Sequence, residues 1–343
     1  MAEVSAGKPR PKIIASDAVA WREANDVPRF GIRYRALTWT LMGDDYRVGV
    51  SIEELAPGKQ AYPFHYHIFE EEHVYVLDGE MSVRLGGETF ALKSGDYVCF
   101  PAGQKIGHCL INASAAACRY VMIGERNNNE VAVYPDSNKV VVRALGGRAL
   151  LDLTSLRGYW HGEDTGLPEG TTPPGVGVID PADPALTAKP PISSHDVAWR
   201  QEGDGRFSGR SRHLTDAAVG PGYRVGVLIE SPVPGTRLCP KHYHMLEEEH
   251  ALILEGEVTL LYGEERFPLQ PGDYVIFPAG EKVGHSFLNS GSGPCSYLMI
   301  GEHNPADVCV YPDSNKVMVR ALKSREDIFD MSATRRYWDG EEA

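Results

Sequence analysis

His65 and His67 stand two residues apart, Glu72 follows, and His108 comes later, after the turn Pro101-Ala102-Gly103. On a strand, a spacing of two puts both imidazoles on one face. The same set returns as His242, His244, Glu249 and His285, at a constant offset of 177 residues. Three imidazoles and one carboxylate suit a divalent first-row transition metal, one per repeat. Two neighbouring positions of an octahedral ion would stay open to substrate, water or O2. Fe or Mn is favoured, and the donor set also admits Ni, Co, Zn or Cu.

Three consecutive carboxylates, Glu70, Glu71 and Glu72, compete for the ligand role. Choosing Glu72 places Glu72, Val74 and Val76 on one strand face, which points inward. His73 and His250 then point away and are read as non-ligands. A single His pair on a strand is ordinarily a satisfied core or cross-strand pair. Four ligand-type residues repeated at the same relative positions favour the metal.

These residues sit in a chain that repeats itself. YRVGV occurs at 46–50 and 223–227, GDYVCFPAG (95–103) returns as GDYVIFPAG (272–280), and VYPDSNKV (133–140) returns at 310–317. The chain has 343 residues, enough for two domains. We expect an N-terminal domain over 1–162, a Pro-rich linker over 163–192 and a C-terminal domain over 193–343. Each repeat reads as short strands, with alternating segments such as Glu72–Leu77 broken by turn signals at Asp78-Gly79, Gly86-Gly87 and Ser94-Gly95-Asp96. Many evenly spaced strands with Gly/Pro turns indicate an all-β barrel or sandwich. Short helices are expected at Asp152–Leu156 and Ser324–Met331. Tyr159-Trp160 and Tyr337-Trp338 are expected to pack each domain's tail onto its barrel. Cys118 and Cys295 are expected as core thiols, and the YPDSN segments as structural turns.

Composition narrows the function classes. Net charge is −13, which argues against nucleic acid and anionic membrane as main partners. The six cysteines form no CxxC pair and read as reduced thiols. The N-terminal stretch has no apolar h-region, and no apolar run reaches the ~18 residues of a membrane helix. The expectation is a soluble, cytoplasmic protein acting on a small molecule; a homo-oligomer is compatible with the sequence. No nucleotide-binding or nucleophile motif stands out.

The pattern HxH(x4)E(x6)G at His65–Gly79 and His242–Gly256, with G(x5)PxG(x4)H(x3)N at Gly95–Asn112 and Gly272–Asn289, resembles the two motifs of the cupin superfamily. The resemblance covers both halves and is that of a bicupin. It departs from the usual motif in having four residues, not two, between the PxG glycine and its His. That spacing and the later YPD resemble a bacterial bicupin subgroup. The resemblance implies two tandem double-stranded β-helix (jelly-roll) barrels, each with a metal inside its mouth. It implies His65, His67, Glu72 and His108, and their repeat partners His242, His244, Glu249 and His285, as ligands.

The superfamily spans many chemistries, so function must come from the site. Oxalate-type bicupins carry an Arg three residues before HxH; here that place holds Tyr62 and Cys239. Strand alternation turns both outward unless the chain bends at Pro63 or Pro240. Gentisate-type bicupins commonly lack the motif Glu, which is present here twice. Quercetinase-like and acireductone-dioxygenase-like cupins use three His and a Glu, and there the carboxylate (Glu72 or Glu249) can act as base toward an enol or phenol proton. Arg47/Arg224, Arg33/Arg210 and Arg35/Arg212 match across repeats and are read as ion-pairing residues, with binding of an anionic substrate as the alternative. The favoured reading is an oxidoreductase, a dioxygenase acting on a small enolic, phenolic or carboxylate-bearing compound. A redox-neutral metal-dependent decarboxylase, lyase or isomerase, and a non-catalytic ligand-binding bicupin, stay open. One site is expected to be catalytic and the other structural or weaker.

Overall fold

A computed structural model describes residues 10–146, 149–159, 161, 188–322 and 328–341. Most of the expected linker lies outside the described residues, as do Trp160 and residues 323–327. The chain divides into two compact units, Met1–Ala20 with Arg35–Ser51 and Ser193–Ala343, and Trp21–Tyr34 with Ile52–Ile192. Each unit thus combines pieces distant in sequence. Among the described residues, no helix is long and apolar enough to cross a membrane.

In the second of these units, the central strand is Glu72–Asp78, flanked by Asp96–Phe100 and Cys118–Glu125 in a seven-stranded sheet. Glu80–Leu85 pairs with Glu88–Lys93 and His108–Ile111 in a three-stranded sheet. Alternation along Glu72–Asp78 sends Val74 and Val76 into a core with Val83, Leu85, Leu110 and Tyr120. The opposite face is buried too, since His73 is fully buried and bonds the Tyr97 hydroxyl at 2.7 Å. The turn after this strand needs Gly79, whose φ is +87°. A Cβ there would stand 2.8 Å from the Ala117 carbonyl oxygen, so no other residue fits without a shift.

The other unit repeats this plan. Glu249–Glu255 lies between Asp273–Phe277 and Ser296–Glu302, and Val258–Tyr262 lies between Glu265–Leu269 and His285–Asn289. In each unit a further four-stranded sheet carries the second His of the HxH pair. Tyr66–His67 pairs with Val131–Tyr134, and Tyr243–His244 pairs with Val308–Tyr311.

The edge of each seven-stranded sheet is covered by a segment from far along the chain. Lys12–Ala15 pairs antiparallel with Asp273–Phe277, with Ile13 opposite Val275. Ile192–Ser193 lies beside Asp96–Phe100. An open strand edge invites pairing with other chains, and a short added strand closes it.

Of the two expected short helices, the first is reduced to a single 3-10 turn, and of the second only residues 328–331 are among the described residues. Leu150–Asp152 is a strand that runs into a single 3-10 turn, Leu153–Ser155, capped by the Asp152 carboxylate on the Thr154 N–H at 2.8 Å. Ile328–Asp330 is likewise a strand, paired with Lys316–Val319. Cross-strand pairing overrides a helical preference too short to nucleate. The tail aromatics are also corrected. Tyr159, Tyr337 and Trp338 are 86%, 85% and 74% exposed, so they do not bury against a barrel. Cys118 and Cys295 are buried, and all six thiols are free. Pro135–Ser137 and Pro312–Ser314 are 3-10 turns, each ending on an Asn (Asn138, Asn315) at φ 51°, a conformation Asn tolerates well.

Ile13 packs against the C-terminal core cluster as well as completing the ladder. Ile13→Ala is expected to lower unfolding stability by about 1–2 kcal/mol, less than for a fully buried Ile. Urea denaturation checks this, and an unchanged midpoint would mean that the added strand contributes nothing.

Candidate metal centres

The first and last His of each set are brought together by the backbone. The His65 N–H donates to the His108 carbonyl at 3.1 Å and the His108 N–H returns to the His65 carbonyl at 2.7 Å. His242 and His285 repeat this reciprocal pair at 3.1 and 2.9 Å. Glu72 enters from the central strand, opposite Phe100 on one side and Gly124 on the other.

The side chains converge on one carboxylate oxygen. Glu72 Oε2 lies 4.0, 3.3 and 3.0 Å from the Nε2 atoms of His65, His67 and His108. Glu249 Oε2 lies 3.6, 3.5 and 2.9 Å from those of His242, His244 and His285. Two rings of each set are oriented through Nδ1. His65 and His242 donate to the carbonyls of Pro63 and Pro240 at 2.8 and 2.9 Å. His67 donates to Glu130 Oε1 at 3.1 Å, and His244 to Asp307 Oδ2 at 2.6 Å. The third ring of each set stacks flat on an aromatic: His108 on Phe100 with centroids 3.8 Å apart, and His285 on Phe277 at 3.6 Å. An Nδ1–H so engaged leaves the Nε2 lone pair facing inward, the tautomer a metal requires.

The electrostatics divide the rings: His67, His242 and His244 are raised by neighbouring groups against burial, while His65, His108 and His285 are lowered by it. Burial, with the neighbouring His108 ring, pushes His65 down to about 3. Burial also lowers His108 and takes His285 down to about 4. For His67 burial opposes the charge, but Glu72 and Glu130 outweigh it and raise the ring to about 10. Glu72 is held well below the usual carboxylate range despite burial, because His67 and His108 face it; Glu249 is lowered in the same way by His244 and His242. His67 Nε2 is buried without a hydrogen-bond partner. A buried orphan nitrogen beside two further imidazoles and a carboxylate fits a divalent cation.

The three adjacent carboxylates separate by partner. Glu70 forms a paired contact with Arg143, Oε2 to Nη2 at 3.0 Å. Glu71 Oε1 lies 3.2 Å from Nε2 of His73. Glu72 alone of the three reaches all three Nε2 atoms of the set. Glu247 and Arg320 repeat the first contact at 2.9 Å, and burial pushes Glu247 up to about 7 against the pull of Arg320.

Several site residues escape sequence reasoning. Glu130 and Asp307 are nearly fully buried and orient His67 and His244. Both occupy the same repeat position, a detectable signal, but the Glu/Asp exchange falls in a loop outside the motifs. Tyr134 stacks on His65 with centroids 5.7 Å apart, and Tyr311 lies 6.0 Å from His242, so the YPD turns also deliver a ring to each centre. Glu53 accepts from the Tyr120 hydroxyl at 2.8 Å. Its counterpart Glu230 is pushed up to about 7 by burial, then by Glu249, against a hydrogen bond from Tyr297.

The matched arginines stay out of both centres where their contacts are described. Arg33 pairs with Glu54 at 2.6 Å, Arg35 donates to the Ser16 carbonyl at 2.9 Å, and Arg47 pairs with Glu302. Arg210 and Arg212 lie over the Trp199 ring at 4.3 and 4.2 Å. Cys239 stands near His242 and raises that ring's pKa against burial. Tyr62 is 38% exposed and meets the His65 ring edge-on with centroids 6.4 Å apart. In the C-terminal unit a small open pocket lies against His244, Glu249 and His285. Its lining includes the carboxylates Glu247 and Glu281, the Tyr262 hydroxyl and the apolar Phe277 and Val283, with no Lys or Arg.

Comparison with known proteins agrees with this architecture. The Cupin domain family matches residues 51–124 and again 229–301. Quercetin 2,3-dioxygenase of Bacillus subtilis (strain 168) is 27% identical over 233 residues, covering 66% of this chain and 66% of that protein. Among solved structures, oxalate decarboxylase of Lactobacillus farciminis superposes with a TM-score of 0.54 at 15% identity, covering 87% of each chain. A putative glyoxylate-induced protein of Pseudomonas aeruginosa gives 0.51 at 17% identity, covering 79% of this chain and 80% of that one. At such identities the structures speak for fold alone. The chain thus carries two cupin domains, each beside its own His/Glu cluster.

Two measurements probe the supporting residues. Glu130→Gln is expected to weaken Zn2+ binding at the N-terminal centre by about 10–100-fold, as loss of an orienting carboxylate does elsewhere; chelator competition reads this. Glu230 binds its proton more tightly folded (about 7) than unfolded, at roughly 4.3. Its contribution is therefore full below the unfolded value and lost as pH rises through 7. In chelator-stripped protein, Glu230→Gln should match wild type at low pH and exceed it above pH 7, by on the order of 1–3 kcal/mol. Parallel urea midpoints across this range would overturn the assignment.

Proposed function

We propose that this bicupin is a metal-dependent dioxygenase acting on a small enolic or phenolic compound. His65, His67, Glu72 and His108 would hold one ion, and His242, His244, Glu249 and His285 a second. Such an ion would supply Lewis acidity toward a substrate oxygen and a redox partner for O2. The observation that carries the reading is the convergence of three imidazoles on one carboxylate in each unit. The small pocket beside the C-terminal set is lined by carboxylates and a tyrosine with no Lys or Arg, which disfavours a small dianion. The similarity to a quercetin 2,3-dioxygenase supports the same class.

The chain's own groups have clear tasks in this reading. Glu72 and Glu249, held ionised by their imidazoles, would accept the proton of an enol or phenol. Phe277 and Val283 would lie against an apolar ring and exclude water. Tyr262, whose hydroxyl donates to Glu281 at 2.7 Å, would orient a substrate hydroxyl at the pocket wall. Asp307 and Glu130 would hold the second His of each set in place.

Metal content by mass spectrometry, followed by O2 uptake on a panel of flavonols, catechols and β-dicarbonyls, tests the proposal. We expect O2 consumption coupled to substrate loss, and its disappearance in the His65→Ala or the His242→Ala variant, whichever removes the catalytic centre. Equal loss in both, at equal stability, would contradict division of labour between the halves. Turnover that persists without O2 would replace the dioxygenase by redox-neutral chemistry. Protein that takes up no metal on reconstitution would overturn both.

A further inference from the structure

The two centres share four ligand-type residues but differ in a fifth neighbour. Ala132 lies opposite His67 in the strand pair beside the N-terminal centre. The same register position in the C-terminal unit, opposite His244, holds Cys309. Residues directly opposite in an antiparallel pair send their side chains to the same face. Cys309 is 1% exposed, so its thiol faces the interior with His244. A ring nitrogen of His242, one of His244 and Cys309 Sγ all lie within 4.8 Å of one another. His242 also belongs to a cluster of equal tightness with Glu249 and His285. It therefore stands between two donor sets, one of which contains sulfur.

We propose that the C-terminal centre is a mixed site in which Cys309 supplies a thiolate to the ion held by His242 and His244, while the N-terminal centre offers only nitrogen and oxygen. This rests on the metal-binding reading above and goes beyond it. Ligation breaks the Sγ–H bond, passes the proton to solvent and forms one sulfur–metal bond, with no electron transferred. A buried thiol has little other route to ionisation, and a coordinating cation deprotonates it outright. Soft thiolate shifts selectivity toward Zn, Cu(I) and Fe and away from Mn. The two halves of one chain would then select different ions, and the half with the harder donor set would be the one suited to Mn.

Cobalt substitution tests this on the full chain. Protein stripped by a chelator is loaded with two equivalents of Co2+, and the visible d–d bands report filling of both centres. A sulfur-to-cobalt charge-transfer band in the near ultraviolet is expected in wild type. It should be lost in Cys309→Ala while the d–d bands of two ions remain. It should persist in Cys239→Ala, which removes the other thiol near His242. Cys309→Ala is expected to fold, because the N-terminal copy carries Ala132 at that place; an unchanged far-ultraviolet dichroism spectrum checks this. With Zn2+, X-ray absorption should show a sulfur neighbour at about 2.3 Å that the same variant removes. A wild type with full d–d bands and no charge-transfer band overturns the thiolate ligand alone. So does a band that survives Cys309→Ala or disappears in Cys239→Ala. The absence of any cobalt bands overturns the metal reading with it.

Discussion

The reciprocal backbone pair between the first and last histidine of each set is the constraint on which the centre depends. His65 and His108 lie far apart in the chain, yet two N–H···O=C bonds fix their Cα atoms in register. With the backbones locked, each imidazole needs only one further restraint. His65 finds it in the Pro63 carbonyl, and His108 in the flat face of Phe100. The C-terminal unit uses the same devices at Pro240 and Phe277. Preorganisation of this kind keeps three nitrogen lone pairs aimed at one point in an interior that would otherwise drive them apart.

That convergence has an electrostatic cost which the surrounding groups offset. Rings this close cannot all be charged, and burial already favours the neutral form. One carboxylate per centre meets the three Nε2 atoms, and one ring per centre is supported from behind by Glu130 or Asp307. The remaining acids are occupied elsewhere, Glu70 by Arg143 and Glu247 by Arg320. Of these acids, only Glu72 and Glu249 face the Nε2 side of their rings, whereas Glu70 and Glu247 approach His67 and His244 from the Nδ1 side.

The fold is economical in how it closes its edges. Each large sheet is completed by a short segment from elsewhere in the chain, Lys12–Ala15 in one and Ile192–Ser193 in the other. Tyr274, opposite Ile14 in that added pair, bonds both His250 at 2.5 Å and Thr38 at 2.6 Å. His250, like His73, is thus a fully buried structural residue on the far face of the ligand strand. Both faces of the Glu72–Asp78 strand are enclosed, with His73 and Tyr75 buried on one side and Val74 and Val76 on the other.

The sequence by itself determined the duplication, the all-β class and the candidate His/Glu set, because each is written in local spacing. A two-residue step sets the face on which His65 and His67 lie, and a repeated glycine sets a turn that tolerates no Cβ. The tail segments misled for the same reason: a few residues near Asp152 or Ile328 carry no local signal strong enough to choose strand over helix. Only the tertiary structure decided which residues distant in the chain stand opposite one another. It set Glu130 and Asp307 behind their histidines, brought Tyr134 and Tyr311 to the centres, and placed Cys309 where the other copy has Ala132. Hydrogen-bonded ladders, not periodicity, fix those neighbours, and a ladder partner can lie anywhere along the chain.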